Sequence, residues 1–180
     1  MSKNQRNIEI LEDQPCPMCG KNKAIFTEYE IEDPYAGTIY ILSLKCRACG
    51  YKKADLEMKN SSGPVEYRVE IDSKEDLNIR VIKSGDCEIK IPRLGLSIDS
   101  TLNGESFVSN VEGVLTRFRN QLLFLKNGEN DKKIRNKIKN ILNKMDKVIS
   151  GEDKMVLIVK DKTGNSAIIS DKVKIKKLKL

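Results

Sequence analysis

The sequence predicts a mainly β fold that carries a helical insertion. Two Cys-x-x-Cys pairs are joined by strand-like sequence, as in small metal-binding β modules. Short segments with alternating apolar residues, bounded by turn-forming residues, continue to Ile91. From Ser109 to Ile149 the apolar residues recur every three or four positions, which indicates helices, and strand-like segments return afterwards. Helices therefore interrupt a β domain.

Composition limits the classes of protein that the chain can belong to. It has 180 residues, a formal net charge of +7, and no apolar run near the roughly 18 residues of a membrane helix. No charged-then-apolar leader opens the chain, so we expect a cytoplasmic protein without membrane contact. From Lys126 to Leu180 there are 16 Lys and Arg residues against 7 Asp and Glu. Such a basic segment suits nucleic acid or an acidic protein surface, but it is also an ordinary solvated face.

The first organised feature is a set of four cysteines. Residues 1–14 are polar with little periodicity, and we expect them to form a mobile N-terminal lead. The thiols that follow have the spacing C-x2-C-x26-C-x2-C, with a glycine after each pair: Cys16, Cys19, Cys46 and Cys49. A two-residue spacer lets both sulfurs of a pair face one ion, and four thiolates form a closed structural zinc site. We therefore predict one structural Zn²⁺ and a zinc ribbon over residues 15–60.

Other interpretations of the cysteines are weaker. A redox Cys-x-x-Cys normally occurs once, near a βαβ pattern, whereas this chain has two pairs joined by strands. Thiols that only pack would not need the paired spacing. Cys87 is left over, and we interpret it as a buried or incidental thiol, because the chain has no histidine to activate a nucleophile.

The remaining elements follow in order along the chain. Strands are expected at 24–31, 38–45 and 52–58, with a turn at 32–37, and Asn60 to Pro64 is interpreted as a linker or a tight loop. Residues 61–180 are predicted to form a second β domain with a helical-hairpin insertion at about 107–150. Its strands are expected at 65–71, 79–83, 88–91, 156–160, 167–170 and 173–178.

Two helices are predicted inside this insertion. Ser109 and Glu112 match an S-x-x-E capping box, in which the carboxylate bonds back to the cap. The first helix places one apolar face toward the core, with Val111, Leu115, Phe118, Leu122 and Leu125. The second helix has a lysine-rich side opposite an apolar face of Ile134, Ile138, Ile141, Met145, Val148 and Ile149. Glycines at 128 and 151 mark the two C-terminal ends.

Taken in this order, the motifs resemble the ZPR-type zinc-finger protein family. The resemblance runs from Cys16 to about Ser170 and includes both cysteine knuckles. Further along, it rests on Asp76-Leu77-Asn78-Ile79-Arg80-Val81-Ile82-Lys83-Ser84, Ile91-Pro92-x-Leu94-Gly95-Leu96, Val111-Glu112-Gly113-Val114-Leu115 and Asp161-x-x-Gly164-Asn165-Ser166. One departure is Asn110, where the family usually has Thr, although Ser109 remains available as a cap. The zinc-plus-β unit occurs once, as in the shorter, archaeal-like members of the family.

The resemblance implies both a fold and a function. The implied fold is a zinc ribbon followed by a double-stranded β-helix carrying an αα-hairpin. The implied partner is translation elongation factor 1-alpha, a GTPase, which the chain would bind as an adaptor or folding helper. The resemblance assigns no residues to that contact.

Residues and composition alone leave alternatives to weigh. A nucleic-acid-binding zinc ribbon is the second hypothesis, but aromatic residues for stacking on bases make up only 5% of the chain. An enzyme is the third, and no nucleophile-base pair or open metal site indicates one. Asp161, Gly164 and Asn165 are better explained as residues of a tight β-hairpin turn between the strands at 156–160 and 167–170 than as a polar site. We therefore predict a non-catalytic protein.

Overall fold

The computed structural model describes residues 8–33, 37–61, 63–99, 104 and 106–178. It contains twelve strands and two α-helices, so the predicted mainly β fold with a helical insertion is confirmed. The strands are β1 (Ile8–Pro15), β2 (Asn22–Asp33), β3 (Gly37–Cys46), β4 (Lys52–Met58), β5 (Val65–Ile71), β6 (Arg80–Lys83), β7 (Cys87–Ile91), β8 (Leu96–Ile98), β9 (Phe107–Asn110), β10 (Met155–Asp161), β11 (Ala167–Ile169) and β12 (Lys174–Lys177). The helices are α1 (Val111–Gly128) and α2 (Lys132–Ile149).

The first four strands form one antiparallel sheet in chain order, which we call the ribbon. Its first strand corrects the expectation of a mobile lead, because Ile8–Pro15 pairs with β2. The side chains of β1 are almost all exposed, so no buried alternation in the sequence revealed the strand. Backbone hydrogen bonds to the neighbouring strand order it instead. Residues 1–7 of the expected lead, and residues 34–36 of the expected turn, lie outside the described residues.

The remaining strands form two further sheets. A five-stranded sheet has the order β12-β5-β10-β7-β8, and a three-stranded sheet has the order β11-β6-β9. Alternate residues of β5 and β7 are buried, which shows that one face of the larger sheet covers the core. Both helices lie between β9 and β10 in the chain, as an insertion into the two-sheet domain.

One correction concerns the segment from Asp161 to Asn165, which we expected to close a β-hairpin. The strand before it, β10, pairs with β5 and β7, whereas the strand after it, β11, pairs with β6. The turn therefore carries the chain from one sheet to the other. Turn composition predicts where a strand ends but not which strand the next one joins.

A single apolar core connects the ribbon to the rest of the molecule. Ile39 and Leu56 of the ribbon are buried in the same cluster as the strands and helices of the two-sheet domain. Ile31, Ile41 and Met58 pack against that cluster while remaining partly exposed. The half of the ribbon farther from the cysteines, which we call its distal half, is therefore stabilised by packing against the following domain.

The helical hairpin differs from its prediction in detail. The N-cap of α1 is Asn110, whose side-chain oxygen accepts a hydrogen bond from the backbone N–H of Gly113 at 2.8 Å. The predicted cap, Ser109, lies one residue earlier in β9, opposite Val81 of β6. Of the predicted apolar faces, Leu125 and Ile134 are exposed, because both lie near the free end of the hairpin. No helix in the described ranges has the length and apolar character needed to cross a membrane.

Candidate metal centre

Two knuckles of similar backbone geometry hold the four cysteines. The first begins at Cys16, directly after β1, and the second begins at Cys46, the last residue of β3. In each knuckle the N–H four residues after the first cysteine donates to the carbonyl of that cysteine, at 2.8 Å for Gly20 and 3.1 Å for Gly50. These glycines have φ angles of 69° and 75°, a left-handed conformation that glycine adopts without steric cost. The glycine after each pair therefore closes the turn that presents the sulfurs.

Strand pairing brings the two knuckles together across 26 intervening residues. Ala24 of β2 is opposite Cys46 of β3, and Gln14 at the end of β1 is opposite the same alanine. The backbone N–H of Arg47 also donates to the carbonyl of Lys23 at 2.8 Å. The two strands predicted within the spacer thus pair with each other, and this pairing places the second cysteine pair beside the first.

The four sulfurs form one compact cluster. The Sγ atoms of Cys16 and Cys49 are 3.7 Å apart, those of Cys19 and Cys46 are 3.8 Å apart, and all four lie within 4.8 Å of one another. A tetrahedral zinc site with Zn–S bonds of about 2.3 Å places its sulfurs about 3.8 Å apart. The cluster therefore fits a single zinc ion, in agreement with the predicted cofactor.

The pairing of the sulfurs also argues against a redox site. Both short contacts join one knuckle to the other, whereas a redox Cys-x-x-Cys brings together the two thiols of one pair. All five cysteines of the chain are free thiols. The four cysteines lie at the ends of strands of the ribbon, whereas the Cys-x-x-Cys of a βαβ redox fold lies at the start of a helix.

The thiols have unequal electrostatic surroundings. Hydrogen bonds from the backbone N–H groups of Cys49 and Ala48 lower the pKa of Cys46 to about 6, and the second of these has an N–Sγ distance of 3.3 Å. At Cys49 the backbone N–H of Tyr51 favours the thiolate, but burial and the neighbouring thiols outweigh it and raise the pKa to about 12. Several thiolates at this spacing repel one another, so the set needs a cation to stay ionised together.

The apolar support around the sulfurs is small. Cys16, Ala24 and Cys46 are its buried members, with Leu44 and Tyr51 packed against them. A cluster of this size supplies little hydrophobic stabilisation, and metal coordination is the usual substitute in such modules.

The other residues that the sequence analysis considered as candidate site residues have contacts that stabilise the fold. Asp161 is fully buried, and its carboxylate accepts hydrogen bonds from Ser84 Oγ at 2.8 Å and from the N–H groups of Thr163 and Gly164. Burial opposes its charge, but hydrogen bonds from Ser166, Thr163 and Ser84 outweigh that effect and hold the pKa of Asp161 below its ordinary value. The carboxylate therefore organises the turn, as the preferred interpretation predicted.

Cys87 is completely buried, and burial raises the pKa of its thiol to about 11. A thiol in that state is unreactive, which agrees with its interpretation as a packed side chain.

Sequence reasoning missed the contacts that attach the ribbon to the two-sheet domain. Asn165 Oδ1 accepts a hydrogen bond from the backbone N–H of Met58 at 3.1 Å, and Arg80 forms an ion pair with the buried carboxylate of Asp33. Partners this far apart in sequence leave no local pattern. The sequence predicted Asn165 as a turn residue, and its side chain also attaches the ribbon to the two-sheet domain.

Comparison with known proteins places these features in a family. The family description "ZPR1 jelly-roll domain" matches residues 75–179. An uncharacterised ZPR1-like protein of Methanocaldococcus jannaschii is 34% identical over 167 residues, which cover 92% of this chain and 84% of that protein. A second ZPR1-like protein, from Pyrococcus horikoshii, is 36% identical over 169 residues, covering 91% and 75%. The zinc finger chaperone zpr1 of Schizosaccharomyces pombe is 28% identical over 160 residues, covering 85% of this chain and 33% of that protein.

Proposed function

This chain belongs to the ZPR1 family, and on that premise we propose that it is a non-catalytic, zinc-dependent chaperone or adaptor that binds elongation factor 1-alpha, a translation GTPase. The name of the fission-yeast relative describes a zinc finger chaperone, which supports the chaperone part of the proposal. The choice of partner rests on the family resemblance of the sequence motifs. A cytoplasmic location is part of the proposal, because free thiols stay reduced in that compartment.

We propose Cys16, Cys19, Cys46 and Cys49 as the four zinc ligands. Four thiolates complete a tetrahedron and leave no position for water, so the ion serves folding and not catalysis. When bound, the ion neutralises the mutual repulsion of the thiolates and closes the ribbon at one end. The protein-binding surfaces are then presented by a rigid scaffold.

The observation that carries the protein-binding proposal is the exposed apolar end of the helical hairpin. Phe124 is 76% exposed and Leu125 is 56% exposed in the last turns of α1, and Ile134 is 45% exposed in the first turn of α2. Large apolar side chains that are grouped on the surface mark a protein-binding site, whereas single ones scattered over the surface are normal. An aromatic side chain of this kind is a typical binding hot spot.

The charge of α2 complements this apolar end. The helix has seven Lys and Arg residues against one Asp. A basic surface beside an apolar anchor favours a partner with an acidic rim around a hydrophobic pocket, and it steers such a partner during encounter.

The test measures binding of the purified zinc-loaded chain to purified elongation factor 1-alpha by biolayer interferometry. Phe124→Ser should weaken binding about tenfold or more, because a hot-spot aromatic contributes at least about 2 kcal/mol. Ile10→Ser is the matched control, since Ile10 is 56% exposed on the ribbon and away from the hairpin in sequence. It should leave the affinity within about twofold.

Two results would contradict this reasoning at different levels. If the wild-type chain does not bind elongation factor 1-alpha, the proposed partner is wrong. If it binds and Phe124→Ser behaves like the wild type, the partner stands and the hairpin end is not the contact.

The lysine-rich face of α2 also supports nucleic-acid binding as the second candidate function. Salt dependence separates the two candidates, because each phosphate contact releases counterions and makes the affinity fall steeply with salt concentration. Oligonucleotide binding whose affinity falls steeply with salt concentration, without binding to elongation factor 1-alpha, would favour the second candidate.

A further inference from the structure

A groove separate from both the zinc site and the hairpin end is lined by residues of both sheets of the second domain and of the ribbon, and five of its twelve lining residues are polar. Its volume is about 880 Å³. Its apolar lining comes from the end of β4 and from β5, β11, β12 and the approach to β6: Met58, Tyr67, Ile79, Ile168, Ile169 and Ile175. A cleft of this volume accommodates a short extended peptide.

The strand that borders this groove, β12, is at the edge of the five-stranded sheet. It pairs on one side with β5, in the register Lys174 to Arg68 through Lys177 to Val65. Within the described ranges no strand pairs with its other side. Ile175, in the middle of the strand, is 62% exposed and lines the groove.

The register shows which backbone groups of β12 face outward. The N–H of Leu178 donates to the carbonyl of Pro64 at 2.9 Å, so this opposed pair is a hydrogen-bonded one. Hydrogen-bonded and non-hydrogen-bonded pairs alternate along an antiparallel ladder. Lys176 and Lys174 therefore direct their N–H and C=O groups toward β5. The corresponding groups of Ile175 and Lys177 point away from the sheet and are available to another strand.

The charges on β12 select the chemistry of that strand. Among the described residues, Lys174, Lys176 and Lys177 form no ion pair, whereas Lys160 on the same sheet does. Glu66 is directly opposite Lys176, but its carboxylate is paired with Lys160 at 3.3 Å. Lys174 also acts electrostatically on Glu70, but that carboxylate is paired with Lys154 at 2.7 Å. The edge therefore has an excess of positive charge beside the apolar part of the groove. The same lysines repel the β12 edge of a second copy, which is how edge lysines oppose self-association.

From these observations we propose that β12 and its groove bind an extended acidic segment of a partner protein by adding it to the five-stranded sheet. Side chains on a strand alternate between faces, so the segment alternates apolar and acidic residues. The apolar ones lie beside Ile175 and enter the groove. The acidic ones lie beside Lys174 and Lys176 on the outer face, where opposite charges on neighbouring strands attract. This mode of binding combines backbone hydrogen bonds with side-chain selection.

The test uses the full-length zinc-loaded chain and a short fluorescein-labelled peptide of alternating glutamate and valine, with fluorescence anisotropy as the readout. Saturable binding is expected, and a peptide of alternating lysine and valine should not bind. Lys177→Pro removes an outward N–H while leaving the β12–β5 ladder intact, since proline is tolerated at such edge positions. It should weaken binding about tenfold, from the lost hydrogen bond and the carbonyl it leaves unpaired.

Lys177→Ala is the matched control, because it removes the same charge and keeps the N–H. Its affinity should stay within about threefold of the wild type. Ile175→Ser tests the groove without altering the backbone, and it should also weaken binding. Zinc content and circular dichroism establish that each variant is folded.

Four results would overturn the proposal. The first is the absence of saturable binding to the glutamate peptide, and the second is an equal loss of peptide affinity in Lys177→Pro and Lys177→Ala. The third is a self-association of the chain that Lys177→Pro abolishes. The fourth is displacement of the peptide by a single-stranded oligonucleotide. The second would reduce the effect to charge alone, the third would make a second copy the occupant, and the fourth would make it a nucleic acid.

Discussion

Removal of zinc should unfold only the half of the ribbon that contains the cysteines. The perturbation is a strong chelator or the double substitution Cys46→Ser and Cys49→Ser. Coordination by four thiolates contributes an apparent 10 to 16 kcal/mol, roughly, to the folding of a small zinc module at neutral pH. The buried members of the cluster around the sulfurs are Cys16, Ala24 and Cys46, whose packing provides only a small fraction of that free energy.

The distal half of the ribbon has a different source of stability. Ile39 and Leu56 are almost completely buried in the core shared with the two-sheet domain. Asn165 also bonds to the backbone at Met58, and Arg80 pairs with Asp33. These contacts do not involve the sulfurs, so the sheet should remain formed at this end after the metal is lost.

Hydrogen exchange followed by mass spectrometry measures both halves in one experiment. Amides of the knuckles, such as those of Gly20 and Gly50, should lose their protection when zinc is removed. Amides of residues 37–41 and 55–58 should keep most of theirs. The matched control is Cys87→Ser, which changes a buried thiol outside the cluster and should leave knuckle protection intact.

Either of two exchange patterns would refute this reasoning. Loss of protection throughout the chain would mean that the shared core depends on the metal. Unchanged protection in the knuckles would mean that the four thiols pack adequately without an ion.

Three further predictions concern local structure. Asn110→Ala should lower the free energy of unfolding by about 1 kcal/mol in urea denaturation, because it removes the N-cap of α1; a larger cost for Ser109→Ala would restore the capping box as the true cap. The folded-state pKa of Asp161 is lowered, so its carboxylate stabilises the fold above the unfolded-state pKa of about 3.9, and this contribution should disappear as the pH falls through the folded-state pKa. In acid titrations of stability, Asp161→Asn should lack this component of the acid transition. Identical titrations of the two proteins would contradict the assignment. Gly164→Ala should destabilise the protein by about 3 kcal/mol or more in thermal denaturation, because the φ of Gly164 is 81° and the added Cβ would lie 2.5 Å from backbone atoms of Gly63. Gly128→Ala is the control and should be nearly neutral, since there is open space around Gly128. Equal effects of the two substitutions would refute the steric argument.

Several elements were predictable because local chemistry decides them. The cysteine spacing and its glycines specify knuckles, whatever surrounds them. Strands such as β4 and β5 begin and end where their composition indicates, since turn-forming residues bound them. The two helices follow from their period, and their free-end residues Leu125 and Ile134 were misassigned only because periodicity does not show where the neighbouring element stops.

Other features depended on partners far away in the chain. The strand Ile8–Pro15 has exposed side chains and is ordered by hydrogen bonds to β2, which no alternation in its own sequence signals. Asn110 and Ser109 were both candidate caps of α1, and the structure shows that Asn110 makes the capping hydrogen bond. Asp161 and the turn after it join two sheets, which depends on the pairing of β11 with β6.

The sequence by itself determined the family, the mainly β class, the four-cysteine cluster that fits one zinc ion and the helical insertion. These depend on spacing and periodicity, which act over one or two elements. Only the tertiary structure decided that half of the ribbon shares the main core, that Phe124 is exposed, and that β12 is an edge strand beside a groove among the described residues. The physical reason is that burial and strand pairing are properties of surfaces brought together by folding, and a residue's neighbours along the chain do not specify them.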